Sequence, residues 1–215
     1  MKIRAVLFDL DGVLVDAREW HYEALNRTLG LFGYQIPRDD HLESFDGLPT
    51  RKKLQMLSKD HDLPAGLHEF INRMKQHYTN EIISTHCRPT FLHRYALSRL
   101  RADGRRLAAC SNSVRDTMTS MLTNAGLIDY LEFHLSNEDV AKPKPDPEIY
   151  LTAMERMQLR PEECLIVEDN VNGIKAAIAS GGHLMRVADV SEVSYQRICA
   201  AIGDAEQIHA RGKVQ

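Results

Sequence analysis

Two aspartates stand at the end of an apolar run near the start of the sequence. The run that contains Val6, Leu7 and Phe8 stops at Asp9 and Asp11. Two carboxylates two residues apart repel each other, and a cation or a shared proton would relieve that repulsion. A surface turn is the alternative reading, since Asp is common in turns. The pair is a candidate for acid–base or metal chemistry if further polar groups reach the same place.

A second acidic pair, Glu168 and Asp169, comes directly after the apolar residues Ile166 and Val167. Hard oxygen ligands in a tight loop suit Mg²⁺, which usually takes one or two carboxylates and keeps several waters. An acidic surface turn is again the alternative, but two acids directly after a buried strand do not favour it. We therefore expect this pair to complete a metal site.

Two further segments supply groups that bind anions. Ser111 and Asn112 follow a short apolar segment and precede a helix, whose free N–H groups would form an anion site together with these side chains. A plain helix N-cap is the alternative. In the proline-rich loop at 137–147, we expect Lys142 to point inward and neutralise phosphate or carboxylate charge, and Lys144 to be solvated.

These segments share one position, because each follows a strand in an alternation of strands and helices. Strands are predicted at 106–110, 131–135, 164–167 and 184–187, and helices at 113–125, 147–157, 173–180 and 193–202. The first strand is apolar on both faces, which is typical of the centre of a parallel sheet. Right-handed crossovers then predict an α/β fold with a Rossmann-like, doubly wound parallel sheet, whose carboxyl edge carries the site.

The stretch between the first two strands is helical instead. Helices are predicted at 17–32, 50–60, 66–79 and 90–101, and no convincing strand lies between 17 and 87. A helical block directly after a buried strand indicates an inserted subdomain. The predicted organisation is therefore a catalytic core of residues 1–16 and 88–215, with a helical subdomain at 17–87.

The composition of the 215 residues is ordinary for a soluble globular protein, with 43% hydrophobic and 27% charged residues. A net charge of −3 gives no field that would attract nucleic acid or an anionic membrane. The apolar runs are too short to span a bilayer, and the start of the chain does not read as a signal peptide. Four scattered cysteines without a C-x-x-C pair predict reduced thiols. We expect a cytoplasmic protein.

Taken together, the four segments resemble the haloacid dehalogenase-like hydrolase superfamily over nearly the whole chain. The DLDGVLVD segment is similar to the first motif of that family, and Ser111 to its second. Lys142 in AKPKPDPEIY is similar to the third motif, and Glu168 and Asp169 in VEDNVNGIKAA to the fourth. The superfamily's dehalogenases lack the second Asp of the first motif. The presence of Asp11 therefore favours phosphate chemistry over cleavage of a carbon–halogen bond.

The resemblance implies a phosphatase that acts through an aspartyl-phosphate. Asp9 would be the nucleophile, because a carboxylate can split phosphoryl transfer into two steps. Asp11 would be the general acid and then the base that activates water or an acceptor hydroxyl. Ser111, Asn112 and Lys142 would bind the phosphate group.

The cofactor implied by the resemblance is Mg²⁺. In such enzymes the ion is held by the first Asp side chain, the backbone carbonyl of the second Asp and the acids of the fourth motif. These ligands correspond to Asp9, Asp11, Glu168 and Asp169.

The resemblance further implies that the helical subdomain is a small cap, which closes over the core and excludes water. His21 matches a cap histidine of the subgroup that contains β-phosphoglucomutases and sugar-phosphate phosphatases, although a half-buried histidine with no such role is the alternative. That subgroup also has a Gly-x-x-[ST]-Arg-like segment, whose Arg reaches a substrate phosphate. The GLPTR segment is one residue longer and places Arg51 there, and Lys52 or Lys53 could serve instead.

The sequence leaves three functions open. The first is hydrolysis of a small phosphorylated metabolite, expected to be a sugar phosphate, by a monomeric enzyme without nucleic-acid or membrane partners. The second is a phosphomutase of the β-phosphoglucomutase type, which has the same core and which His21 and Arg51 would support. The third is a non-catalytic module that binds a phospho-ligand, and the complete set of motif residues argues against it.

Overall fold

The structure is a computed structural model that describes residues 2–45 and 47–211. Within them, five strands form one parallel sheet: β1 (Ala5–Phe8), β2 (Arg106–Cys110), β3 (Phe133–Leu135), β4 (Cys164–Glu168) and β5 (His183–Arg186). The spatial order is β3-β2-β1-β4-β5, with β1 at the centre. The chain moves outward from β1 in one direction through β2 and β3, and in the other through β4 and β5. The switch point beside β1 is where such sheets bind ligands.

The strands alternate with helices from β2 onward. The α-helices of the described residues are α1 (Arg18–Gly30), α2 (Arg38–Asp40), α3 (Thr50–Asp60), α4 (His68–His86), α5 (Phe91–Ala102), α6 (Arg115–Asn124), α7 (Glu148–Arg156), α8 (Val171–Ser180) and α9 (Tyr195–Arg211). A π-helical turn at His41–Phe45 follows α2. No helix in the described ranges is both long enough and apolar enough to cross a membrane.

Strand β1 is buried on both faces of the sheet. Its Val6 and Phe8 belong to a hydrophobic cluster with residues of α5, α6 and α9, whereas Ala5 and Leu7 pack with residues of α7 and α8. Successive side chains of a strand point to opposite faces, so an apolar run of this kind requires a cover of helices on each side. The prediction of a doubly wound, Rossmann-like α/β fold is confirmed.

The register of the sheet brings the strand ends together. Phe8 at the end of β1 is paired with Ala109 in β2 and with Val167 in β4. Because the strands are parallel, the residues that follow these positions all lie at the same carboxyl edge. The sequence positions singled out for chemistry are thus brought to one place by the pairing of backbones.

Residues 17–87, here called the helical insert, contain α1 to α4 and no strand among their described positions. Eight buried residues form a separate hydrophobic cluster in it: Leu25, Leu29, Ile36, Phe45, Leu54, Leu57, Leu63 and Ile71. Helix α4 joins the insert to the sheet, since its Ile71 lies in that cluster and its Ile83 packs with β1 residues. The domain boundaries themselves stay a prediction.

Two helices are longer than the sequence predicted. Helix α4 continues past Thr79 to His86, because Ile82 and Ile83 prolong its buried face. Helix α9 runs on to Arg211, and Ala205 remains buried in its later turns. In both cases burial of one face sustains the helix beyond the strongest part of the local pattern.

Candidate active site

Side chains from four loops and strand ends converge at the carboxyl edge of the sheet. Asp9 follows β1, Ser111 follows β2, and Lys144 belongs to the loop after β3. Glu168 is the last residue of β4, and Asp169 comes directly after it. All of them line one cavity between the sheet and the helical insert. The structure therefore brings together the four segments that the sequence singled out.

The lysine of this cluster is Lys144, and the prediction that Lys142 points inward is wrong. Lys144 is only 4% exposed, and its Nζ donates hydrogen bonds to Asp9 Oδ1 at 2.7 Å and to Glu168 Oε1 at 2.6 Å. It also donates to a backbone carbonyl of β2 at 2.8 Å. The side chain of Lys142, in contrast, is exposed.

The orientation of this loop is fixed by two polar side chains. The Asn112 amide accepts a hydrogen bond from the Lys144 N–H at 3.0 Å and donates to the Lys144 carbonyl at 3.1 Å. The Glu148 carboxylate accepts from the Lys142 N–H at 2.9 Å, on the exposed part of the loop. Asn112 also donates to the Gly47 carbonyl of the insert at 3.0 Å. Asn112 thus positions the lysine loop, and its predicted contact with substrate stays a prediction.

Three carboxylates form a group that could hold a metal ion. Asp9, Glu168 and Asp169 each offer an oxygen, and these oxygens lie within 4.8 Å of one another. Burial, followed by the charge of Glu168, raises the pKa of Asp9, and the charge of Lys144 only partly opposes this. A set of hard oxygen donors this close fits a divalent cation, which would offset their mutual repulsion. Asp169 also pairs with Arg18 of α1 at 3.7 Å.

Asp11 lies beside this group and has different partners. Its Oδ1 is 2.8 Å from His21 Nε2, and its Oδ2 accepts from the hydroxyls of Ser111 at 3.1 Å and Ser113 at 2.9 Å. Burial would raise the pKa of Asp11, but His21, Ser113 and Lys75 together outweigh it and lower the pKa to about 2. Asp11 is therefore ionised. Its side chain is outside the three-carboxylate group, and the role of its backbone carbonyl as a metal ligand stays a prediction.

His21 links Asp11 to the helical insert. Its Nδ1 lies 2.8 Å from the Nζ of Lys75 on α4. Burial, followed by the charge of Lys75, lowers the pKa of His21, so the ring is neutral near pH 7. These partners assign the proton to Nε2, which donates to Asp11, while Nδ1 accepts from Lys75. The structure thus places the predicted His21 against Asp11.

Sequence reasoning missed two residues of the site, Lys75 and Tyr150. Lys75 lies on the face of α4 that also buries Ile71 and Thr79. In the sequence, a lysine at helical spacing from these two residues was the signal that could have indicated a buried cation. The fully buried Tyr150 hydroxyl donates to Glu168 Oε1 at 2.5 Å. Tyr150 lies in the AKPKPDPEIY segment, but nothing in that sequence distinguishes it from any other apolar residue on the buried face of a helix.

The insert contributes cations to the cavity at the start of α3. Arg51 and Lys53 both line the cavity. Arg51 is exposed, as is Lys52, whereas Lys53 is only 7% exposed. The volume of the cavity is about 170 Å³, which suits a small metabolite rather than a polymer. Among the three cations considered for this segment, Lys53 is the buried one.

Carboxylates, a lysine and hydroxyls at the carboxyl edge of a parallel sheet are groups that enzymes of phosphoryl transfer use for positioning and charge neutralisation. The sequence profile of the haloacid dehalogenase-like hydrolases matches residues 6–187, and the chain belongs to this family.

Two curated relatives and one solved structure illustrate the family. The chain is 28% identical over 179 residues to a phosphorylated carbohydrates phosphatase of Thermotoga maritima, which covers 83% of this chain and 82% of the relative. It is 29% identical over 223 residues to a phosphoglycolate phosphatase of Nitrosospira multiformis, with coverages of 97% and 96%. The crystal structure of β-phosphoglucomutase from Clostridium difficile has a TM-score of 0.80 at 20% identity, with coverages of 94% and 98%, which shows the shared fold.

These comparisons confirm the predicted family and the prediction that the chain is an enzyme of the hydrolase class. The curated relatives are named as phosphatases, and their names specify phosphorylated small molecules. The roles of single residues, the identity of the metal, the oligomeric state and the cellular location stay predictions.

Proposed function

We propose that this protein is a Mg²⁺-dependent phosphatase that hydrolyses a small phosphorylated metabolite, with a sugar phosphate as the expected class. The observation that carries the proposal is the placement of Asp9, which shares a buried cluster with Lys144, Glu168 and Asp169 beside a small cavity. The names of the two relatives, which specify phosphorylated carbohydrates and phosphoglycolate, support a phosphate ester as substrate.

In the first step, Asp9 attacks the phosphorus of the ester. A bond forms between an Asp9 carboxylate oxygen and phosphorus while the ester P–O bond breaks, and the departing oxygen takes a proton from Asp11. Asp11 must carry a proton at this point, whereas its interactions with His21, Ser113 and Lys75 favour the ionised form. The negative charge of a bound phosphate raises the pKa of a neighbouring carboxyl and favours the protonated form.

In the second step, water attacks the phosphorus of the aspartyl-phosphate. Asp11 accepts a proton from this water, and the bond between phosphorus and Asp9 breaks to release inorganic phosphate. The Asp11 carboxylate, which contacts His21 and Ser113, is ionised and can accept this proton. The same residue thus acts as the acid in one step and the base in the next.

The remaining residues balance charge and exclude water. Lys144 offsets the charge of Asp9 and of the transferring phosphoryl group, and the Ser111 hydroxyl binds a phosphate oxygen. Asp9, Glu168 and Asp169 would hold Mg²⁺, which supplies positive charge to the phosphate oxygens when bound. The helical insert acts as the cap, and the contact between Gly47 and Asn112 holds it against the sheet edge.

Asp9→Asn tests the nucleophile. With Mg²⁺ and p-nitrophenyl phosphate, we expect activity to fall by about 10⁴-fold or more, because the amide cannot form the intermediate. Asp60→Asn, an exposed change at the end of α3, serves as the matched control and should retain the wild-type rate. A wild-type rate in Asp9→Asn would refute the assignment.

A second function, transfer of the phosphoryl group to another hydroxyl of the same sugar, is favoured by one observation. His21 of the insert binds Asp11, so the acid–base carboxylate is tied to the element that would enclose a sugar. A mutase must protect its phospho-enzyme from water until such an acceptor is in place. Incubation with β-glucose 1-phosphate and a trace of the bisphosphate separates the two functions, since a mutase yields glucose 6-phosphate and a phosphatase yields inorganic phosphate.

A further inference from the structure

The protein itself occupies most of the hydrogen-bonding capacity of the Glu168 carboxylate. Oε1 accepts from Lys144 Nζ at 2.6 Å and from the Tyr150 hydroxyl at 2.5 Å. Oε2 accepts from the Asp169 N–H at 3.2 Å. A carboxylate has about four lone pairs, which are divided equally between its oxygens. Among the described residues, these three donors leave one lone pair, and it belongs to Oε2.

Tyr150 fixes the carboxylate in this arrangement. Its side chain is fully buried on α7, and a buried hydroxyl is costly unless it has a hydrogen-bond partner such as Oε1. The Nζ of Lys144 lies 4.8 Å from the centre of the Tyr150 ring, so the tyrosine contacts both members of the Glu168–Lys144 pair. Helix α8 lies against the same carboxylate at Gly173, where an added Cβ would be 1.9 Å from Oε1 and 2.2 Å from Oε2. The carboxylate is therefore held in one orientation.

We propose that Tyr150 is a positioning residue that biases the metal site toward Mg²⁺ and against Ca²⁺. It does so by keeping Oε1 of Glu168 occupied, so that Glu168 binds an ion through Oε2 alone. The inference rests on the proposed function, which requires a divalent ion at Asp9, Glu168 and Asp169, and it adds the residue that decides between ions of the same charge.

The two ions differ in the ligands that they accept. Mg²⁺ requires a nearly ideal octahedron of short bonds, and it usually takes one or two carboxylates and keeps several waters. Ca²⁺ is larger, accepts more oxygens in a flexible geometry and often binds both oxygens of a carboxylate. A glutamate with a single available oxygen therefore suits Mg²⁺ and withholds a ligand from Ca²⁺.

Tyr150→Phe removes the hydroxyl and keeps the buried ring beside Lys144. Oε1 then regains a lone pair, and the carboxylate loses one of the contacts that orient it. We expect the affinity for Mg²⁺ to fall by about tenfold, because groups that orient metal ligands typically contribute about 10–100-fold to metal affinity. The affinity for Ca²⁺ should change by about threefold or less, since the released oxygen becomes an additional ligand for this ion.

Unfolding midpoints measured over a range of MgCl2 or CaCl2 concentrations give both dissociation constants without turnover, and circular dichroism shows whether each variant is folded. Tyr22→Phe is the matched control, because it removes a partly buried hydroxyl that donates to the Ile36 carbonyl at 3.1 Å within the helical insert. This control should keep the wild-type ratio of the two constants. A crystal structure of the wild-type protein with CaCl2 gives a test that needs no variant, and it should show Glu168 bound to the ion through Oε2 alone.

The proposal is supported if the ratio of the Ca²⁺ constant to the Mg²⁺ constant falls by about threefold or more in Tyr150→Phe and stays unchanged in Tyr22→Phe. Equal losses for both ions, or an unchanged ratio, would refute it, because Tyr150 would then serve only packing and charge balance. A wild-type structure in which both Glu168 oxygens, or neither, bind Ca²⁺ would refute it as well. Phosphate release is assayed separately. If the ratio shifts as expected but no ester is hydrolysed, the metal selectivity stands and the phosphatase function falls.

Discussion

Lys144 supplies the positive charge at the centre of the carboxylate cluster. It lies between Asp9 at 2.7 Å and Glu168 at 2.6 Å, and all three side chains are buried. Burial would lower the pKa of Lys144, but the charges of Asp9 and Glu168 outweigh it and raise the pKa. The lysine therefore stays protonated at neutral pH, and the two acids depend on it in the absence of a metal ion.

Lys144→Met removes this charge with little change in volume. We expect kcat/KM for p-nitrophenyl phosphate to fall by about 10²–10³-fold, because a donor to the developing charge is lost. We also expect the free energy of unfolding to fall by about 3–5 kcal/mol, because two buried carboxylates lose their partner. Initial rates and urea unfolding measure the two effects. Lys142→Met is the matched control and should change neither, and an equal loss in that variant would contradict the placement of Lys144.

These two lysines also show how far sequence could reach at the residue scale. A lysine in the proline-rich loop was predictable, and so was Asp9, because the end of a buried strand fixes its position. The choice between Lys142 and Lys144 depends on which backbone groups Asn112 and Glu148 hold. Those contacts come from the start of α7 and from the segment that follows β2, and no local pattern reports them.

At the level of secondary-structure elements, helix α8 begins directly beside the two acids Glu168 and Asp169. The Asn170 side chain accepts a hydrogen bond from the Asn172 N–H at 2.9 Å and caps the helix. A Cβ placed on Gly173, in the first turn, would lie 1.9 Å from Glu168 Oε1. The Glu168 carboxylate therefore occupies the space that any larger residue would need. Because Gly173 has no side chain, the first turn of α8 can lie directly against the Glu168 carboxylate.

Gly173→Ala should displace Glu168 from Lys144. We expect a loss of stability of about 1–3 kcal/mol from overpacking, together with a higher Mg²⁺ concentration for half-maximal activity. Gly203→Ala is the matched control, since Gly203 lies in α9 with nothing within 4 Å of the added methyl group, and it should gain about 0.5–1 kcal/mol. Urea unfolding and Mg²⁺ titrations give the readouts. Wild-type stability and Mg²⁺ dependence in Gly173→Ala would count against the role of Gly173.

The limits of helical periodicity also explain why the sequence did not predict Lys75 as a residue of the site. The helix predicted at 66–79 contains it, but periodicity shows only which face a residue shares with its neighbours. A lysine on an apolar face has the same pattern whether it reaches solvent or turns into a cavity. The packing of α4 against α1 places Lys75 opposite His21, and that packing is a property of the folded insert.

Across the whole molecule, the helical insert and the sheet meet at the site through polar contacts. These contacts include Arg18 with Asp169, His21 with Asp11, and Asn112 with the Gly47 carbonyl. Polar contacts can be exchanged for contacts with water at little net cost, unlike an apolar interface of the same size. The polar character of these contacts supports the proposed closing and opening of the cap over the site. The buried Ile83 keeps α4 anchored to the sheet during this movement.

The buried Lys75 makes the stability of the whole molecule depend on pH. The pKa of Lys75 is lowered to about 7 by burial and by the charge of Lys53, whereas a lysine in an unfolded chain titrates near about 10.4. Between these values the unfolded chain holds a proton that the folded protein has lost, so this group makes stability rise with pH. Below about pH 7 both states are protonated, and the folded state bears the full cost of the buried charge.

Lys75→Met removes that cost and keeps an apolar chain of similar length. In metal-free protein at pH 6, we expect its free energy of unfolding to exceed that of the wild type by roughly 2–4 kcal/mol, after about 1 kcal/mol is lost with the hydrogen bond to His21. The difference should shrink steadily toward pH 10, because the wild-type lysine becomes neutral. Urea unfolding at pH 6, 8 and 10 measures it, with exposed Lys59→Met as a control that should follow the wild type. A difference that stays constant with pH, or a variant less stable at pH 6, would mean that Lys75 is not a strained buried cation.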